Sequence, residues 1–311
     1  MLIDLHCDTI SVLLNKDKTE SLKRNHLCVD IEKLKQSGSL AQFFALYIDK
    51  NAVVNPFETA MRMLDKFYSE LDLNSVDIAV AKNYNEMMTN KANGKISAFL
   101  TIEEGGVIKG ELANLRNFYR LGVRLMTLTW NYPNEIGYPN FEWQYQNQGL
   151  TEFGKYVVEE MNRLGMLIDV SHLSDQGFYD VAILSKAPFI ASHSNSREIT
   201  HHPRNLTDDM IRKIAEHGGV IGLNFAAAFL GENPTSRIED MIRHVKQIYK
   251  VGGIDVMAIG TDFDGTAPNF DIAHIGHMDR LRYALQENGF TADELDKIWH
   301  KNSERVIREV C

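Results

Sequence analysis

Cysteine is scarce: Cys7, Cys28 and Cys311 are the only three in 311 residues, too few and too scattered for a disulfide framework. That scarcity points to a reducing compartment, and the cytoplasm is the expected location. Positive charge is also short, since 33 Lys and Arg face 42 Asp and Glu for a net charge of -9. Nucleic acids and anionic membranes select basic surfaces, so neither is an expected partner. No stretch approaches the roughly 20 apolar residues of a membrane span. The opening MLIDLHCDTI has neither the basic start nor the apolar run of a secretory signal. Low-complexity tracts, internal repeats and a convincing interdomain linker are missing too. What is present, 44% hydrophobic and 24% charged residues, is ordinary for a soluble globular protein.

Mostly apolar runs that suit buried strands begin at Leu2, Leu40, Lys95, Arg124, Met166, Ala187, Gly219 and Val256. Helical spacing falls between most of them, at 56–71, 112–121, 152–164, 174–186, 207–216 and 237–249, with two closing helices at 278–286 and 291–310. Residues 130–149 read as a long polar and aromatic loop, a length that is usually functional. Eight strands alternating with helices predict an α/β fold, a (β/α)8 TIM-type barrel formed by a single domain over residues 1–311. A doubly wound open sheet is the alternative, but the first strand lacks a glycine-rich phosphate turn.

One segment, MLIDVSHLSDQGFYDVAILSKAPFIASH from Met166 to His193, organises the rest. It reads as strand, helix and strand, the helix capped by Ser174 or Asp175, and both strands end in Ser-His. Carboxyl ends of parallel strands are where such folds carry chemistry. Other polar groups gather at equivalent places: His6 and Asp8, Glu103 and Glu104, Asp262 and Asp264. In His6-Cys7-Asp8, alternation turns the imidazole and the carboxylate to one side and Cys7 away, into the core. Imidazole together with carboxylate suits zinc or another divalent metal, and a carboxylate can bridge two ions. Two ions bracketing a water would generate a nucleophile at neutral pH.

The pieces LIDLHCDT, IEEGG, LGVRLMTLTW, LTEFGKYVVEEMNRLGMLIDVSHLSD, APFIASHSNSREITHHPRNLTDDMI, GGVIGLNF and IGTDFDG resemble, in order, the renal or membrane dipeptidase family of binuclear zinc peptidases. The lack of a leader is more similar to the soluble bacterial members. The resemblance implies the barrel again and two Zn2+ ions per chain. His6 and Asp8 would hold one ion, and His172 and His193 the other. Glu104, the acid directly before Gly-Gly, would bridge them, leaving Glu103 without a ligand role. Arg204 would bind the substrate carboxylate, for which its fork is suited. Asp262 would pass the proton to the leaving amine, with Asp264 ranked behind it.

The implied activity is hydrolysis of small dipeptides with a free C-terminal carboxylate, and a homodimer is possible. One departure stands out: Trp130, followed by Asn131, occupies the place of a substrate-binding His in the family. It leaves open another small amide or ester as substrate, and, further off, a ligand-binding barrel without turnover.

Other candidates read as structural. His201 and His202 suit a surface loop, and His274 and His277 a solvated one. His26, His217, His244 and His300 have no strand-end context. Met61 and Leu64 read as core. The aromatics Tyr132, Tyr138, Phe141, Trp143 and Tyr145 either wall a pocket or pack their loop onto the barrel.

Overall fold

Strands β1 (Leu2–Cys7), β2 (Ser39–Tyr47), β3 (Ile78–Val80), β4 (Ile96–Glu103), β5 (Val123–Thr127), β6 (Leu167–Asp169), β7 (Ile221–Leu223) and β8 (Met257–Ile259) make one sheet. They come from a computed structural model, which describes residues 1–15, 20–267 and 269–311. Every pairing is parallel, in the order β6-β5-β4-β2-β1-β8-β7. Between β6 and β7, Ile190 bridges to Asp169 and Ala191 to Ile221, which closes the ring at eight positions. The strand expected from Ala187 is therefore only these two bridging residues. Strand β3 was not anticipated; it pairs with the first half of β4, outside the ring order.

Helices follow the expected spacing because their ends are chemically marked. Asn55 Oδ1 accepts from the Glu58 N–H to start Pro56–Leu73, whose apolar stripe buries Ala60, Met63, Leu64, Phe67 and Leu71. Met61 is only half-buried at the edge of that stripe. Ser174, not Asp175, caps Asp175–Leu184, with Oγ accepting from the Gly177 N–H at 3.1 Å. Thr151 caps Glu152–Leu164, which stops at Gly165 in the left-handed conformation. The last expected helix is three pieces, Ala292–Asp296, a π turn Lys297–Lys301, and Asn302–Val310. No described helix is long and apolar enough to cross a membrane.

Alternation along the strands sorts two cores. Ile3, Phe43, Phe99, Leu125, Leu167, Ile190, Val220 and Ala258 fill the inside of the ring. Leu2, Phe44, Leu100, Met126, Ile168 and Ile259 pack outward in the larger cluster that includes the helices. Phe43 and Phe99 stack at 4.6 Å between ring centroids in the middle of the barrel. Two to four residues further along, the inward positions turn polar: Tyr47, Glu103, Thr127, Asp169 and Ser192. In β1 the pairing register slips between Asp4 and Cys7, so His6 reaches the polar layer although Leu5 lies in the inner core. Cys7 packs outward, as expected.

Candidate active site

Strand ends from around the ring deliver one buried cluster. His6 Nε2 lies 3.3 Å from Glu103 Oε2, 3.4 Å from Asp8 Oδ2 and 4.0 Å from Asp262 Oδ1. The other Glu103 oxygen, Oε1, lies 2.9 Å from His172 Nε2 and 3.5 Å from His193 Nε2. Ligand atoms at 2.0–2.1 Å around a tetrahedral zinc stand roughly 3.4 Å apart, the scale of these separations. Among the described residues two sets meet the spacing for an ion, His6 with Glu103 and His193, and His6 with Asp8 and Asp262. Asp262, expected only as a proton carrier, thus also stands among possible ligands.

Glu104 is not in the cluster, which corrects the expectation that it bridges. Its backbone turns to φ 100°, a conformation that favours glycine, and this swings its side chain away from the ring interior. Its carboxylate accepts from Asn134 Nδ2 (2.6 Å), the Gly106 N–H (2.7 Å) and the Trp130 N–H (3.2 Å), and so ties down the loop after β5. Glu103 is the last residue of β4 and keeps the inward parity of Phe99 and Thr101.

The imidazoles are set up to present lone pairs. Asn131 Oδ1 can only accept, so His172 Nδ1, 3.1 Å away, carries hydrogen and Nε2 does not. Ser192 Oγ donates to Asp169 and is 2.7 Å from His193 Nδ1, which leaves His193 in the same tautomer. The two Nε2 atoms then face each other at 3.0 Å and share the Glu103 oxygen. Both ring nitrogens of His6 and Asp8 Oδ1 are buried without a hydrogen-bond partner among the described residues. Opposed lone pairs and unpartnered buried ligand atoms are costly unless a cation sits among them, and the donor set fits zinc.

Charges in the cluster are strongly coupled. Burial opposes ionisation of Glu103, but the charge on His6 and the His172 and His193 imidazoles around it outweigh burial and hold its carboxyl well below the usual range. Burial, then the Glu103 charge, pushes Asp8 up to about 8. Burial pushes Asp262 up to about 6, against the pull of His6. His172 is brought down to about 4 by burial and by Arg204.

A cavity of about 130 Å³ opens over the cluster, with Trp130, Asn131, Tyr47, Phe141, Phe229 and Arg204 among its walls. Arg204 is 1% exposed; its Nη2 donates to the His193 carbonyl at 3.3 Å, and its ring neighbour Phe229 lies 5.2 Å away. Its Nε and Nη1 have no partner among the described residues. Trp130 packs edge-on to Tyr47 and Tyr132. Asn131, expected to touch substrate, also holds His172 in place. Asp264 is engaged elsewhere, accepting from Thr9 Oγ1 (2.6 Å) and the Cys28 N–H (2.7 Å). Beyond Trp130, the loop aromatic Phe141 lines the cavity; Tyr138 and Tyr145 pack on each other and Trp143 stacks on His201.

Three contributors escaped sequence reasoning. Tyr47 ends β2 in register with Glu103. Asn224, just after β7, donates to Asp262 Oδ2 at 2.9 Å. Gly265 lies so close to Asp8 and Asp262 that a Cβ would collide with both carboxylates. Their shared signal is position: a polar or small residue where a strand stops.

A parallel barrel that collects imidazoles and carboxylates at the carboxyl ends of its strands defines a metal-dependent hydrolase. Over residues 1–311 the chain matches the membrane dipeptidase family, peptidase family M19, and it belongs to that family. It is 33% identical over 258 residues, 76% of its length and 60% of the relative's, to an uncharacterised dipeptidase of Schizosaccharomyces pombe. Its fold superimposes with a TM-score of 0.91 on the metallopeptidase dipeptidase AC (27% identity; 99% of this chain, 98% of that one). An equal TM-score, 0.91, relates it to a Rhodobacter sphaeroides metallopeptidase bound to a phosphinate mimic of L-Ala-D-Ala (26% identity; 100% and 99% covered). The chain is a metallo-dipeptidase, a hydrolase acting on peptide bonds.

Proposed function

We propose that a single barrel domain, residues 1–311, binds two zinc ions and cleaves small dipeptides that end in a free carboxylate. The observation that carries this reading is Glu103, with one oxygen facing His6 and the other facing His172 and His193. His6 and Asp8 would hold one ion, His172 and His193 the other, and Glu103 both. When bound, such ions lower the pKa of a water and polarise the scissile carbonyl.

The chain's own residues supply the rest. Arg204 lines the cavity with Nε and Nη1 unpartnered among the described residues, and its guanidinium fork would take up a substrate carboxylate through two N–H groups of one edge. Asn224 holds Asp262 Oδ2 and leaves Oδ1 toward the cluster, where it would carry a proton to the leaving nitrogen. Trp130, Tyr47 and Phe229 give the cavity aromatic walls that limit water around the reacting bond. The R. sphaeroides metallopeptidase, which holds a dipeptide mimic, supports a substrate of that size. Three free thiols support a reducing compartment such as the cytoplasm.

Metal content and turnover of L,L and L,D dipeptides, measured on one purified sample, test the reading. Two zinc ions per chain, activity lost on chelation and restored by zinc, and weak turnover of C-terminal amides are expected. Full activity after chelation and dialysis would refute it.

A further inference from the structure

The Ser-His pairs at the end of β6 and at the 190–191 bridge leave their serines unexplained by the reaction. Both serines turn onto Asp169, which is fully buried beneath the imidazoles. Asp169 Oδ1 accepts from the backbone N–H groups of Ser171 (3.1 Å) and Ser192 (2.9 Å) and from the Ser171 hydroxyl (2.6 Å). Oδ2 accepts from the hydroxyls of Thr127 and Ser192, both at 2.6 Å. Five donors on one carboxylate commit the single hydrogen of each hydroxyl to Asp169. Ser192 Oγ can then only accept from His193 Nδ1. Ser171 Oγ likewise accepts from the His193 backbone N–H at 3.1 Å.

We propose that Asp169 is the positioning residue for His193, setting the tautomer of its imidazole through Ser192 and pinning its backbone through Ser171. The proposal rests on the reading of His193 as a metal ligand. The eighth position of the ring is two bridging residues, with the Ile190 N–H donating to the Ile168 carbonyl and the Ala191 N–H to the Val220 carbonyl. Beyond those backbone bonds, Asp169 takes the Ser192 N–H. His172 is held differently, by the Asn131 amide. An amide can rotate and offer N–H2 instead of oxygen; a carboxylate behind a hydroxyl has no such alternative.

Ser192→Ala removes the link and leaves Asp169 its other donors. It should weaken zinc binding by roughly 10–100-fold in competition with a chromophoric chelator, as loss of a ligand's hydrogen-bond partner generally does. Ser192→Thr, which restores a hydroxyl, should recover most of that loss. In Asp169→Asn the new amide donates to Ser192, which turns its own hydrogen toward His193. Nitrogen-15 shifts of the metal-free variant should then move the His193 proton from Nδ1 to Nε2. Folded Ser192→Ala with wild-type zinc affinity and an unchanged His193 tautomer would overturn the proposal. Wild-type protein that took up no zinc would instead overturn the metal reading, and the tautomer in metal-free protein would still decide the role of Asp169.

Discussion

Glu103 and Glu104 are adjacent, yet their carboxylates serve opposite sides of the end of β4. Glu103 lies between His6 and His172, and Glu104 is locked to Asn134 and the Trp130 N–H. Glu103→Gln should therefore lose zinc and dipeptidase activity together. Glu104→Gln should keep its zinc and much of its turnover, because its carboxylate orders the loop after β5 and bonds to no ligand. Metal analysis and kinetics on the two variants check this, and the opposite ranking would restore Glu104 as the bridge.

Asn131 separates ligand support from substrate binding. Asn131→Ala leaves His172 Nδ1 without its acceptor at 3.1 Å. Zinc affinity should fall by roughly 10–100-fold. A raised KM with zinc affinity unchanged would instead show that Asn131 acts on the substrate alone.

Arg204 is buried with two donors unused by the described residues. Arg204→Ala should lower kcat/KM for dipeptides by about 2–4 kcal/mol, in line with loss of a buried charge partner. Most of the loss should lie in KM, and zinc content should not change. Arg204→Lys should rescue poorly, because an ammonium cannot reproduce the two-pronged contact. Equal losses for free-acid and amide substrates would argue against a carboxylate on Arg204.

His244 predicts acid sensitivity remote from the ligands. It is buried, with Nδ1 accepting from the Ser196 N–H (3.1 Å) and Nε2–H donating to the Leu230 carbonyl (3.0 Å). Burial lowers its pKa from 6.5 to about 4. As pH falls through 6.5 the unfolded chain takes up a proton that the native chain refuses until about 4. The native state thus loses stability across that window, by roughly 3 kcal/mol in total for a shift of this size. Melting temperatures of wild type and His244→Gln from pH 7 to 4 should converge on acidification; a constant difference would exclude His244 as a source.

Strand ends were the legible part of this chain. Seven ring strands, the place of the eighth and the gathering of polar groups at strand ends follow from apolar runs that stop at polar residues, while the roles proposed for His6, Asp8, His172, His193, Arg204 and Asp262 come from the family resemblance. Less could be read where one residue of register matters. Two consecutive acids before Gly-Gly look equivalent in sequence, and only the parity of β4 and the positive φ at Glu104 choose between them. Short elements escaped as well: β3 has three residues, too few to show a period.

The sequence by itself determined the alternation of strand and helix and the placing of imidazoles and carboxylates at strand ends, because each depends on local pattern. Tertiary structure alone decided which carboxylate enters the site, that Asn131 faces His172, and that Ser171 and Ser192 converge on Asp169. Those relations join residues on different strands, and their geometry is set by ring closure, which no local pattern encodes.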